Sequence, residues 1–445
     1  MHNLARALHE TGYEVSGSDD EINEPSWSRL KAYGLLPESL GWDPTRIHSG
    51  LKAVILGMHA REDNPELKRA RSLNVPVYSF PAFFYEATQS KTRIVIGGSH
   101  GKTSITAMIL HVFKHLKKPC DFLVGAQLKG FDTMVQLSAS DCAVFEGDEY
   151  LASALDPRPK FHLYKPHVAV ISGIAWDHIN VFPSFEQYIE QFRIFIQCIE
   201  PGGCLIYCES DPVLLKLVKE RPNTQIQYQP YRTPHYNIKE GITYLINQTT
   251  AIPLKVFGAH NLQNLEAARQ VCRAMSVSDK DFYQAIQNFT GAAKRLETVY
   301  QSETFICFKD FAHSPSKLRA TLNAVCNQFP NFKVIACLEL HTFSSLNETF
   351  LKEYAGTLNE ADTALVYFNP KTIAHKKLKP IVAESLKNYF KRNDLVVFTQ
   401  TLEFKTWVEA QVQKQQVLLL MSSGTFDGID LDAWGQELGK KVGLT

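Results

Sequence analysis

The stretch Lys91–Phe113 sets GGSHGKTS between a β-branched run and an apolar helical pattern. Gly98, Ser99, His100, Gly101, Lys102 and Thr103 form a loop whose glycines let backbone N–H groups close around phosphate oxygens. The helix beginning at Ser104 adds the partial positive charge of its N-terminus. In such a loop the lysine reaches the outer phosphates and the threonine hydroxyl sits on Mg²⁺. Ile96 occupies the position where the longer eight-residue pattern has glycine, so this is the short form. Two further groups could do chemistry with it. Glu146-Gly147-Asp148-Glu149 follows the strand-like run Asp141–Phe145, and Asp177-His178 follows His167–Ser172. A carboxylate at a strand end near a phosphate loop is a natural Mg²⁺ ligand, because that ion takes hard oxygens. The same acids could equally form a solvated turn. His260, Asn261 and Asn264 open an apolar helical pattern, where polar residues also serve as caps.

The elements that would carry these groups alternate in type. Thr92–Ile96, Asp141–Phe145, His167–Ser172 and Gly203–Cys208 are short apolar runs, as are Thr304–Phe308, Lys333–Leu338, Ala364–Phe368, Leu395–Phe398 and Val417–Met421. Helical periodicity lies between them, which predicts an α/β chain with parallel sheets and ligands at the strand C-termini. Ser314-Pro315 marks a helix start. At 445 residues the chain exceeds one hydrophobic core. We expect three domains: 1–88, 89–293 and 294–445. In the first, Tyr13–Ser16, Ala53–Leu56 and Val75–Tyr78 read as strands. A sheet of this kind normally opens with a strand and a glycine-rich turn, whereas this chain begins inside the first helix. We therefore read Met1 as an internal methionine of a longer protein, or the domain as degenerate.

A net charge of +1 gives no global field for nucleic acid or an anionic membrane. No apolar run is long enough to span a bilayer, and no secretory signal opens the chain. Nine cysteines without a CxxC pair fit a reducing cytoplasm.

Together these motifs resemble the Mur ligase family. GGSHGKTS is similar to its ATP loop, FEGDEY (Phe145–Tyr150) to its acidic element and WDH (Trp176–His178) to its Asp-His element. GAHNLQN (Gly258–Asn264), KRLE (Lys294–Glu297), DFAHSP (Asp310–Pro315) and MSSGTFDG (Met421–Gly428) follow in the family's order, and SGSD (Ser16–Asp19) resembles its UDP-binding domain. The likeness runs along essentially the whole chain. It implies three domains: a Rossmann-like N-terminal one lacking its first strand, a central P-loop ATPase and a Rossmann-like C-terminal one. It also implies ATP-dependent amide formation through an acyl phosphate in peptidoglycan metabolism.

The resemblance further implies roles. Lys102 and the loop amides hold the β and γ phosphates. Thr103 and Glu146 bind one Mg²⁺, and His178 with Glu146 a second cation. His260, Asn261 and Asn264 contact adenine and position the acyl phosphate, while Arg295 clamps phosphate and Asp310 meets the ribose. Ser18, Asp19, His59 and Asn64 belong to the nucleotide-sugar side. His313, Ser422 and Gly424 belong to the amine side. Within the family, Phe145–Pro166 resembles the branch that joins L-alanyl-γ-D-glutamyl-meso-diaminopimelate to UDP-N-acetylmuramate. The alternatives are the branch that adds L-alanine to the same acceptor, folate polyglutamylation, and a non-catalytic nucleotide-binding relic. The chain departs from the family pattern at Ala175, at Ser314 and at Leu340-His341-Thr342, which replaces a Pro-Arg segment. The implied partners are small molecules, with ATP and Mg²⁺ as cofactors, and the protein is expected to be a monomer or weak homodimer.

Overall fold

A computed structural model of the chain describes residues 1–445 apart from 177, 178, 180, 221, 222, 249, 293, 294 and 445. The chain forms two compact units. One comprises Met1–Ile174, Glu186–Tyr231 and Ala267–Phe282; the other comprises Ala175–Phe185, Arg232–Glu266 and Tyr283–Thr445.

In the first unit, β1 (Val54–Leu56) and β2 (Val77–Ser79) pair in parallel. The helix Pro65–Ser72 connects them, capped by Asn64. Tyr13–Ser16, expected as a strand, is irregular and largely exposed. Among the described residues β1 and β2 pair only with each other. Tyr13–Ser16 joins neither outer edge of that pair, and its exposed backbone is open to water.

The same unit holds a seven-stranded sheet. In chain order come β3 (Thr92–Gly97), β4 (Asp121–Leu123), β5 (Val135–Gln136) and β6 (Cys142–Glu146). A hairpin, β7 (Leu151–Ser153) and β8 (Asp156–Pro159), precedes β9 (Val168–Ile171), β10 (Cys204–Cys208) and β11 (Gln227–Tyr231). The spatial order is β11-β10-β9-β3-β6-β4-β5. All neighbours are parallel except β4 and β5. The β-branched run Ile94-Val95-Ile96 is fully buried because β3 is central and covered on both faces. Its C-terminal end lies between the ends of β6 and β9, which places the phosphate loop beside the acidic turn that follows β6.

The second unit begins with an antiparallel meander that the apolar pattern did not announce: β12 (Tyr236–Lys239), β13 (Ile242–Asn247) and β14 (Thr250–Leu254). It is followed by β15 (Glu297–Gln301), β16 (Phe305–Asp310), β17 (Lys333–Leu340), β18 (Thr363–Phe368), β19 (Val396–Phe398) and β20 (Gln416–Met421). These six form a sheet in the order β15-β16-β20-β17-β18-β19, parallel except for β15. β20 is buried throughout, as its unbroken apolar run requires. Gln328, at the end of the helix Pro315–Gln328, joins the two parts of this unit. Its side chain accepts from Thr243 Oγ1 at 2.9 Å and donates to the Gly241 carbonyl at 2.6 Å. Among the described residues, no helix is long and apolar enough to cross a membrane.

Candidate active site

The loop after β3 is built from positions only glycine can fill. Gly98 has φ +121°, and a Cβ there would lie 2.2 Å from Ser172 Oγ and 2.8 Å from Ser172 N. Gly101 adopts a left-handed conformation as it enters the helix Lys102–His115. The end of β9 braces the loop. Ser99 N donates to the Gly173 carbonyl at 3.0 Å, and the Ser172 hydroxyl donates to the His100 carbonyl. Thr103 and Ser104 are buried at the head of the helix.

The acidic turn after β6 is not a solvated one. Glu149 is 1% exposed and pairs with Lys102 at 2.5 Å. Lys102 also donates to its own loop at the Gly98 carbonyl, at 2.7 Å. Burial disfavours this ammonium, but Glu149, then Asp148 and Glu146, outweigh it and hold its pKa above the ordinary lysine value. The Glu149 carboxylate also accepts from the Tyr188 hydroxyl at 3.0 Å, and that hydroxyl lies 2.8 Å from Ser99 Oγ. Asp148 pairs with Lys160 at 2.8 Å. The Thr103 hydroxyl donates to Glu146 Oε1 at 2.7 Å, while Gly125 N fixes Oε2 at 2.8 Å. A hydroxyl and a carboxylate side by side are two hard oxygens of the kind Mg²⁺ takes, so these residues fit that ion. His178 lies outside the described residues. Among those described, no group of three His, Cys, Asp or Glu gathers as a metal site.

On the sugar-nucleotide side of this unit, the Ser18 hydroxyl donates to Glu66 Oε1 at 2.6 Å. Asp19 and His59 are exposed. The Asn64 side chain accepts from Glu66 N and Leu67 N at 2.9 and 3.0 Å, so its oxygen works as a helix cap.

In the second unit, Gly258 starts the helix Ala259–Ala274 with φ +89° and packs where a Cβ would lie 2.5 Å from Ala324. Asn261 donates to the Phe257 carbonyl at 2.9 Å. Asn261 and Asn264 are both buried. Burial lowers the pKa of His260, opposed by the nearby Asp310 carboxylate. Asp310 is anchored by Leu296 N at 3.1 Å and the Thr321 hydroxyl at 2.5 Å. The Arg295 guanidinium lies over the Phe311 ring at 4.7 Å, and that ring meets His313 edge-on at 4.9 Å. Ser314 precedes its helix as expected, with Pro315 at the first position, but its hydroxyl makes no capping bond. The Ser422 hydroxyl donates to Glu339, and Gly424 N donates to Ser422 Oγ at 2.6 Å.

Sequence reasoning missed Glu149 as the partner of Lys102, Tyr188 behind it, the Ser172 brace, and Glu339 beneath Ser422. The run of acids after β6 was the one visible signal. Its assignment needed the turn geometry.

The model described as "Mur ligase family, catalytic domain" matches residues 1–92, and the Mur ligase middle domain matches residues 96–272. A UDP-N-acetylmuramate–L-alanine ligase of Carboxydothermus hydrogenoformans is 26% identical over 98% of this chain and 94% of its own. Two solved structures share the fold. A murein peptide ligase of Psychrobacter arcticus has TM-score 0.62 and 19% identity, covering 100% of this chain and 97% of that one. A MurF ligase of Thermotoga maritima in complex with ADP has TM-score 0.66 and 16% identity, covering 90% and 98%. The chain belongs to the Mur ligase family, ATP-dependent enzymes that join an acid to an amino acid.

Proposed function

We propose that this chain joins the amine of L-alanyl-γ-D-glutamyl-meso-diaminopimelate to the carboxylate of UDP-N-acetylmuramate. ATP would drive the reaction through an acyl phosphate, and ADP and phosphate would be released. Amide formation from a carboxylate in water is uphill, so the acid must first be activated. The observation that carries the chemistry is the juxtaposition of Lys102, Thr103 and Glu146 around one glycine loop. Lys102 and the loop amides would hold the outer phosphates and stabilise charge as it builds on oxygen. Thr103 and Glu146 would hold Mg²⁺, which when bound neutralises phosphate charge. In the second unit, His260, Asn261, Asn264, Arg295 and Asp310 are assigned to the nucleotide, and His313, Ser422 and Gly424 to the amine. His178 keeps its assignment as a cation ligand by resemblance. We keep 1–88, 89–293 and 294–445 as the functional division of the chain.

The choice of amine rests on Phe145–Pro166, the stretch that resembles the peptide-joining branch. Within it, Leu151–Pro159 folds as the β7–β8 hairpin. Ala154 N at its turn donates to the Met58 carbonyl at 3.0 Å, next to His59 on the sugar-nucleotide side. The names of relatives such as the Carboxydothermus enzyme favour the second reading, in which the amine is L-alanine. Supplying UDP-N-acetylmuramate and ATP with either amine separates the two by which one releases phosphate and appears in the product mass. Phosphate release with neither would overturn amide ligation.

A further inference from the structure

At the C-terminal edge of the six-stranded sheet, Glu339 lies near the end of β17 and Ser422 follows β20, its neighbour. Glu339 is 2% exposed. A carboxylate so buried stays ionised only where donors replace water. Here the Ser422 hydroxyl and Phe426 N, the latter at 2.8 Å, donate to it, and His341 Nδ1 stands 3.6 Å away. Burial opposes its charge, yet His341, Ser422 and Phe426 N together hold its pKa below the ordinary glutamate value. The turn after β20 folds tightly over this pair. A Cβ on Gly424 would lie 2.9 Å from Glu339 Oε2 and 3.1 Å from His341 Nδ1. The His341 side chain nevertheless remains 41% exposed.

His341 Nδ1 faces the Glu339 carboxylate just beyond hydrogen-bond length, which leaves Nε2 as the ring nitrogen free of that neighbour. The other titratable groups around the pair are Tyr367 on β18, whose hydroxyl lies 2.9 Å from Thr401 Oγ1, and Asp427, whose charge acts on Tyr367. His313, beyond the end of β16 on the other flank of β20, is bonded through Nδ1 to the Phe311 carbonyl at 2.8 Å. Of His313 and His341, only His341 faces a buried carboxylate.

We propose that His341, placed beside Glu339, takes the proton that the incoming ammonium must lose before its nitrogen can attack. The inference rests on the ligase reading above. The ammonium first gives one proton to Nε2 of His341, which frees the nitrogen lone pair. That lone pair forms the N–C bond while the C–O bond to phosphate breaks, phosphate leaves with that electron pair, and the remaining surplus N–H proton leaves with the phosphate. Glu339 is a positioning residue in this scheme.

The test compares two nucleophiles on wild type, His341→Gln and Glu339→Gln. Hydroxylamine is neutral near pH 7 and traps an acyl phosphate as a hydroxamate with little need of a base. L-alanine and the tripeptide are ammonium ions that need one. In His341→Gln, hydroxamate formation should stay within about twofold of wild type. Amide formation should fall about 10²-fold in kcat, with little change in KM for the amine. Glu339→Gln should show the same split between the two nucleophiles to a smaller degree. His341→Gln lies at a half-exposed position, so an unchanged melting temperature is expected and guards against a folding defect. Amide formation at the wild-type rate in His341→Gln, or an equal fall in both reactions, would overturn the proposal. If wild type gives neither hydroxamate nor amide, the ligase reading itself falls, and the proposal with it.

Discussion

Lys102 Nζ lies 2.5 Å from Glu149 Oε2, and this carboxylate is held from behind by the Tyr188 hydroxyl, which in turn meets Ser99. The loop's cation and one of its hydroxyls are thus tied to the same buried acid. This pre-organises the phosphate loop before a nucleotide arrives, and it neutralises a lysine whose charge would otherwise be costly to bury. On the function proposed above, a bound nucleotide would draw Lys102 from this carboxylate to phosphate oxygens.

Lys102→Met should lower phosphate release with either amine by about 10²–10³-fold, the usual cost of losing a charge contact to the transition state. A steady-state phosphate assay at saturating ATP checks this. Unaltered turnover would place the reaction centre elsewhere.

Glu149→Gln should weaken the nucleotide-free protein by about 3 kcal/mol, because a largely buried ammonium loses its counter-charge. Phosphates would replace that counter-charge. Saturating a non-hydrolysable ATP analogue should therefore raise the melting temperature of Glu149→Gln more than that of wild type. Equal shifts in the two proteins would show that Lys102 does not exchange partners.

Thr103→Val keeps the shape of the side chain and removes the oxygen next to Glu146, whereas Thr103→Ser keeps the oxygen. The Mg²⁺ concentration for half-maximal activity should rise at least about 10-fold in the valine variant, since even outer partners of a metal are worth that much. It should stay near wild type in the serine variant. A parallel rise in both would assign the defect to packing.

Glu339 gives a pH dependence of stability with a definite sign. Its folded pKa lies below the ordinary 4.5, so its contribution is fully present above that value. As pH falls past 4.5, the unfolded chain takes up a proton before the folded one does, and this stability is lost as pH drops through the folded pKa. Glu339→Gln should be less stable at neutral pH and show a shallower acid-side decline in urea unfolding. A decline as steep as that of wild type would show that the carboxylate is not held ionised.

The amino-acid sequence by itself determined the parts whose signals are local. The β-branched run, the two glycines and the apolar helix spacing define the phosphate loop within some twenty consecutive residues. The same holds for most parallel strands and for the acids at their ends, because helix and strand periodicity depend on near neighbours in the chain. Tertiary structure alone decided which groups meet. The turn after β6 gives Glu149 to Lys102 and Glu146 to Thr103, though both acids belong to one four-residue run. Placing β9 beside β3 brings Ser172 onto the loop, and placing β20 beside β17 brings Ser422 onto Glu339 across 83 positions of chain. Tyr13–Ser16 has strand-like residues yet stays irregular and joins neither edge of the β1–β2 pair. Asn64 spends its side-chain oxygen on a helix end. Each outcome depends on the order in which strands pack. That order is set by long-range pairing and burial, to which the spacing of residues along the chain is blind.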